Sequence, residues 1–77
     1  MEIAPGITVD PEIVHGAAVI SGTRIPVSIV VGSLGAGMSE AEVMSEYDIT
    51  RQDITAALAY AARVVADTTD FPLVPVQ

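Results

Sequence analysis

The chain has no cysteine, no tryptophan and no lysine. Without cysteine there are no disulfide staples, no thiolate metal sites and no cysteine nucleophile. Aromatic residues are scarce: Tyr47, Tyr60 and Phe71. The core must therefore be built from Ala, Val, Ile and Leu. Positive charge is scarcer still. Arg24, Arg51 and Arg63 stand against ten acids, a net charge of −7. Affinity for nucleic acid rests largely on neutralised phosphates. A chain this anionic is a poor general binder of DNA, RNA or an anionic membrane, and it attracts a partner with a basic surface.

Long hydrophobic runs are also missing. The most apolar stretch, Val27 to Met38, is interrupted by Ser28 and Ser33. It falls short of the ~20 residues a membrane span needs. Met1-Glu2-Ile3-Ala4-Pro5-Gly6 has no basic start and no apolar run, so it does not read as a secretory signal. The expectation is a cytoplasmic chain with no membrane segment. No internal repeat or low-complexity tract is visible.

What is present is 77 residues, 8.0 kDa and 51% apolar. That suffices for one small domain, burying roughly 60% of its unfolded surface. Small chains without staples borrow core from a partner, so a homodimer or a heteromeric complex is expected. The charge is uneven. Residues 1–38 carry Glu2, Asp10 and Glu12 against Arg24, net −2, and residues 39–77 carry seven acids against Arg51 and Arg63, net −5.

Residues 1–6 read as a loose lead-in. Ile7-Thr8-Val9 is β-branched and reads as a short strand. Asp10-Pro11 and His15-Gly16 are turn signals, and Ala17 to Ile20 is a second short strand. Ser21-Gly22-Thr23 turns the chain again. Such strands cannot stand alone in water and must pack on helices or on another chain.

Pro26 suits the first position of a helix running to about Ala36, with Gly37 as its stop. Val27, Val30, Val31 and Leu34 recur at helical spacing. Gly32 and Gly35 weaken that helix by about 1 kcal/mol each relative to Ala. Their purpose would be close packing against a neighbouring helix. Ser39 and Glu42 form a capping box, opening a short helix that ends near Tyr47. Thr50 and Asp53 form a second, weaker box. The helix after it carries the stripe Ile54, Ala57, Leu58, Ala61 and Val65, ending near Ala66. The tail 67–77 contains Pro72 and Pro75 and is expected to be non-helical. Its Phe71, Leu73, Val74 and Val76 are apolar enough to anchor a partner.

A short helix, a tight turn and a longer capped helix make a helix-turn-helix reading. The N-terminal turn of its second helix offers Thr50, Arg51, Gln52 and Thr55 to base edges or phosphates. Asp53, Glu40, Glu42, Glu46 and Asp48 oppose such a contact electrostatically. The competing reading is a plain three-helix packing with Arg51 and Gln52 as solvated surface. His15 is the sole histidine, in a turn, with no nucleophile or orienting acid at catalytic spacing. The acids of residues 40–48 read as a solvated helix face, since Glu40 and Glu42 point different ways. No catalytic residue, metal or cofactor is assigned, and the chain is not expected to be an enzyme. Arg24 stands beside an apolar junction in Gly22-Thr23-Arg24-Ile25-Pro26. It would hydrogen-bond local carbonyls or a carboxylate such as Asp10, or else reach an acidic pocket on a partner.

The strings Ile7-Thr8-Val9-Asp10-Pro11-Glu12-Ile13, His15-Gly16 and Ile20-Ser21-Gly22-Thr23-Arg24-Ile25-Pro26-Val27 resemble the opening of the domain of unknown function 433 family. So do Gly37-Met38-Ser39, Glu42-Val43, Asp53-Ile54 and Ala56-Ala57-Leu58-Ala59-Tyr60-Ala61. After His15-Gly16 that family commonly has a lysine and a proline, where this chain has Ala17 and Ala18. The resemblance implies a homeodomain-like helix-turn-helix with short strands that help build a dimer. It also implies the antitoxin of a type II toxin–antitoxin pair, which neutralises a PIN-like ribonuclease and represses its own operon by binding operator DNA. The runner-up is a DNA-binding transcriptional regulator.

The expected fold is thus mainly α: a homeodomain-like three-helix core over residues 7–66, with a short N-terminal β-arm at about 7–25. The partner-binding candidates are Arg24, Arg63, Phe71, Leu73, Val74 and Val76. Arg24 or Arg63 would meet the acidic metal pocket of the nuclease.

Overall fold

A computed structural model describes residues 1–69. The β-branched run forms β2 (Ile7–Val9), which pairs antiparallel with β3 (Ala18–Ile20) in the register Ile7↔Ile20, Thr8↔Val19 and Val9↔Ala18. On its other side β2 pairs antiparallel with β1 (Glu2–Ala4). The sheet order is β1-β2-β3. Residues expected as a loose lead-in therefore form a strand and a tight turn. The Met1 amino group donates to the Val9 carbonyl at 2.8 Å, and the Glu2 carboxylate accepts from the Gly6 N–H at 2.8 Å. Between β2 and β3, Val14, His15 and Gly16 all take left-handed φ, at 50°, 56° and 83°. For β-branched Val14 that is costly, about 1–2 kcal/mol. His15 lies exposed in this turn.

Three helices follow: α1 (Val27–Gly35), α2 (Glu40–Tyr47) and α3 (Arg51–Thr69). Pro26 is the N-cap of α1 rather than its first residue. Gly37, at φ +106°, closes α1: its N–H donates to Leu34 O, and Met38 N–H donates to Ser33 O. This is a Schellman stop. Ser39 and Glu42 exchange both bonds of a capping box, at 3.1 and 2.8 Å. Thr50 and Asp53 do the same at the start of α3, at 3.1 and 3.0 Å. α3 outruns its expected end by three residues. Thr68 Oγ1 donates to the Val64 carbonyl at 2.9 Å and so adds a bond within the last turn.

Ile7 and Ile20 from the sheet, Val27 and Val30 from α1, Val43 from α2, and Ile54 and Ala57 from α3 pack into one buried cluster. Each Val or Ile so buried contributes roughly 1.5–3 kcal/mol. The expectation of a mainly α fold is corrected by this arrangement. A three-stranded antiparallel sheet supplies two of the fully buried isoleucines and packs directly on the helices, so the fold is α+β. The strands form one side of the core and pair within the chain; they are not an arm. Two of the strands coincide with those expected at Ile7–Val9 and Ala17–Ile20; the third, Glu2–Ala4, and the pairing of all three rest on non-local contacts.

No helix of the described residues is long and apolar enough to cross a membrane.

Candidate functional site

On α3, Gln52, Thr55, Ala56, Ala59, Tyr60 and Arg63 recur at intervals of three and four and so share one side of the helix. Facing them is the β1–β2 turn, Ala4-Pro5-Gly6. Between turn and helix lies a groove of about 490 Å³. Ala4, Pro5, Ala56 and Ala59 line it with apolar surface, and Gln52, Asp53, Thr55, Tyr60 and Arg63 add polar groups; the Asp53 carboxylate accepts from Thr50 N–H in the cap of α3.

The turn is held close to α3. Gly6 sits at φ +76°, and a Cβ there would lie 3.1 Å from the Cβ of Ala56. The Gly6 carbonyl accepts from Ser21 N–H at 2.9 Å, which ties the turn to the end of β3. A glycine is required here both for the left-handed backbone and for the approach.

The four residues assigned to DNA contact divide into two pairs. The Thr50 hydroxyl accepts from Asp53 N–H and is used as a helix cap. Arg51 Nη1 donates to Glu40 Oε1 at 2.9 Å, the one ion pair among the described residues. Gln52 and Thr55 remain exposed in the groove lining, with Arg63. The structure thus brings Gln52 and Thr55 together with Arg63, a partner-binding candidate, on a single surface.

Arg24 is exposed on the connector between β3 and α1, away from this groove. Among the described residues it makes no ion pair, so the expected bond to a carboxylate such as Asp10 is not formed. Asp10 instead accepts from Glu12 N–H at 2.9 Å, closing its own turn. Thr23 is the side chain that bonds local backbone there. Its hydroxyl donates to the Ile20 carbonyl at 2.8 Å and accepts from Ile25 N–H at 3.0 Å. Phe71, Leu73, Val74 and Val76 lie outside the described residues.

Sequence reasoning missed the turn as a wall of the site. The signal was available in Pro5-Gly6, a turn dipeptide between Ile3 and Ile7. It also missed Tyr60 and Ala56. Both follow from extending the face of Gln52 and Arg63 along the helix.

The model of the family described as "Protein of unknown function (DUF433)" matches residues 7–61. The chain belongs to that family. In structure it is similar to a DUF433 member protein from Anabaena variabilis, solved by crystallography. The TM-score is 0.71 and the identity 32%, over 75% of this chain and 58% of that one. This chain thus matches a little over half the length of that relative. No curated protein matches. β1 and Arg63 both fall outside the family span.

Proposed function

We propose that this chain is a protein-binding module: the antitoxin that neutralises a PIN-like ribonuclease. The observation that carries the reading is Arg63, exposed in the lining of a largely apolar groove, with no acidic partner among the described residues. An apolar lining with a few polar groups suits a peptide segment or loop of a partner. Arg63 is then the guanidinium for a carboxylate on that partner, and the acidic metal pocket of such a nuclease offers one.

The remaining charge supports the same reading. Glu42, Glu46 and Asp48 are exposed along and after α2. They present a negative face to the basic surface an RNA-cleaving enzyme needs. Complementary potentials of this kind raise the rate of encounter and favour the correct partner.

The competing reading is a DNA-binding regulator. It keeps the α2–connector–α3 order and the exposed Gln52 and Thr55. It loses Arg51 to Glu40 and Thr50 to the cap, and the surrounding acids repel phosphate.

The test is RNA cleavage by a purified PIN-like ribonuclease, titrated with the chain and without DNA. Cleavage is expected to stop near one chain per nuclease, and Arg63→Ala to weaken inhibition. Undiminished cleavage with excess chain would overturn the proposal.

A further inference from the structure

Past the core, α3 keeps an apolar side that the described residues leave uncovered. Ile54 and Ala57 are 1% and 0% exposed, whereas Val64, two turns after Ala57, is 40% exposed. Beside these later turns runs a second groove of about 480 Å³, between α1 and α3. Val27, Val31 and Gly32 line one side and Ala61 and Val64 the other, and no charged residue among the described ones lines it. A Cβ built on Gly32 meets nothing within 4 Å. Glycine inside a helix is unfavourable by about 1 kcal/mol relative to Ala, and packing among the described residues does not account for it. Gly32 leaves a bare stretch of α1 backbone on which another side chain can rest.

The groove opens beside the last turns of α3, which closes at Thr69. Next in the sequence come the eight residues Asp70-Phe71-Pro72-Leu73-Val74-Pro75-Val76-Gln77, outside the described residues. After Asp70 they carry no charge, and Phe71 to Val76 is apolar throughout. Pro72 and Pro75 lack the N–H a helix uses and disfavour helical backbone in the residue before each, so this sequence suits an extended path. Extended residues advance about 3.3 Å each, giving these eight a reach of roughly 26 Å. The way back along α3 from Thr69 to Ala61 is only about 12 Å, at 1.5 Å per helical residue. The segment is long enough to turn and run the length of the groove.

We propose that residues 71–76 fold back over the end of α3 and occupy the α1–α3 groove of their own chain, laying apolar side chains over Gly32 and Val64. Attachment selects this occupant. A segment tethered at the groove's edge has an effective concentration on the order of millimolar, so a contact too weak to hold a separate chain suffices. The match in chemistry is direct, an uncharged apolar segment against an uncharged apolar groove. A basic partner gains nothing from its charge there. Tyr60 borders both grooves, with Gln52 and Arg63 on one flank and Ala61 and Val64 on the other. Filling the second groove therefore leaves the first open, and the proposal stands apart from the nuclease reading.

The test uses the full chain, whose lack of cysteine lets a chosen pair report proximity. Ala61→Cys combined with Leu73→Cys should form a disulfide within one chain on mild oxidation, at the 8.0 kDa mass of the monomer. Ser45→Cys combined with Leu73→Cys should not, because residue 45 is exposed on α2, away from the groove. Adding Gly32→Leu fills the groove without meeting any described residue. It should keep the helical circular dichroism and slow the cross-link from residue 61 about tenfold. A disulfide joining two chains would give the groove to a second copy and overturn the proposal. No disulfide from residue 61, or one that forms equally fast from residue 45, overturns it as well.

Discussion

Arg51 Nη1 lies 2.9 Å from Glu40 Oε1 and joins the first turn of α3 to the first turn of α2. The pair is largely solvated, with the arginine side chain 73% exposed. Its effect on stability is therefore small, but it gives the cation best placed to meet a phosphate a carboxylate partner already. Glu40→Gln should change unfolding free energy by about 0.5 kcal/mol or less. It should also strengthen weak binding to plain duplex DNA at low salt, because Arg51 is released. Urea unfolding and fluorescence anisotropy check the two parts separately. A loss of stability well above 1 kcal/mol would show that the pair organises the α2–α3 junction.

The close approach of Gly6 to Ala56 positions the wall of the first groove. Gly6→Ala should lower stability by about 2 kcal/mol, combining left-handed strain with crowding. Placed on an Ala56→Gly background, the same change should cost only about 1 kcal/mol, because only the strain remains. A double-mutant cycle in urea reads the difference. Equal losses in both backgrounds would mean that the turn does not press on α3.

The two capping boxes make a local prediction. Ser39→Ala and Thr50→Ala should each cost about 1 kcal/mol. In each case an N–H of the first helical turn, that of Glu42 or Asp53, loses its side-chain acceptor. The sites share no partner, so the double variant should lose about the sum of the two. Thermal unfolding monitored at 222 nm measures all three.

These boxes were readable from sequence because a cap is a local event, settled by residues three apart. The same holds for Gly37, whose stop for α1 needs only the carbonyls of Ser33 and Leu34. What sequence could not supply was non-local. Glu2-Ile3-Ala4 becomes a strand only because β2 lies beside it, and Arg51 is spent because Glu40, eleven residues earlier, folds to within reach. The stripe of α3 was legible as a stripe. How far the core covers it was not, because that depends on where α1 and the sheet end against it.

The site was legible by residue rather than as a surface. Residue by residue, Gln52 and Thr55 point to DNA and Arg63 to a protein partner, yet all three line one groove. Sequence spacing alone puts them on one face of α3. The opposite wall, Ala4-Pro5-Gly6, depends on the hairpin.

Loss of the Arg63 guanidinium separates the functional readings. Arg63→Ala should leave the fold intact, since the side chain is exposed and bonds no acid among the described residues. Its affinity for the nuclease should fall roughly tenfold, as expected for truncating one side of an interfacial charge pair. Thr55→Ala should weaken the complex less, because an exposed hydroxyl exchanges one hydrogen-bond partner for water.

The most direct measurement is calorimetric titration of a purified PIN-like ribonuclease with this chain, run at two salt concentrations with duplex DNA as the comparison ligand. Tight binding to the nuclease is expected, weakened but not abolished by salt because the groove is largely apolar, with no binding to plain duplex at physiological ionic strength. No heat with the nuclease, together with tight binding to duplex by the chain alone, would contradict the protein-binding reading.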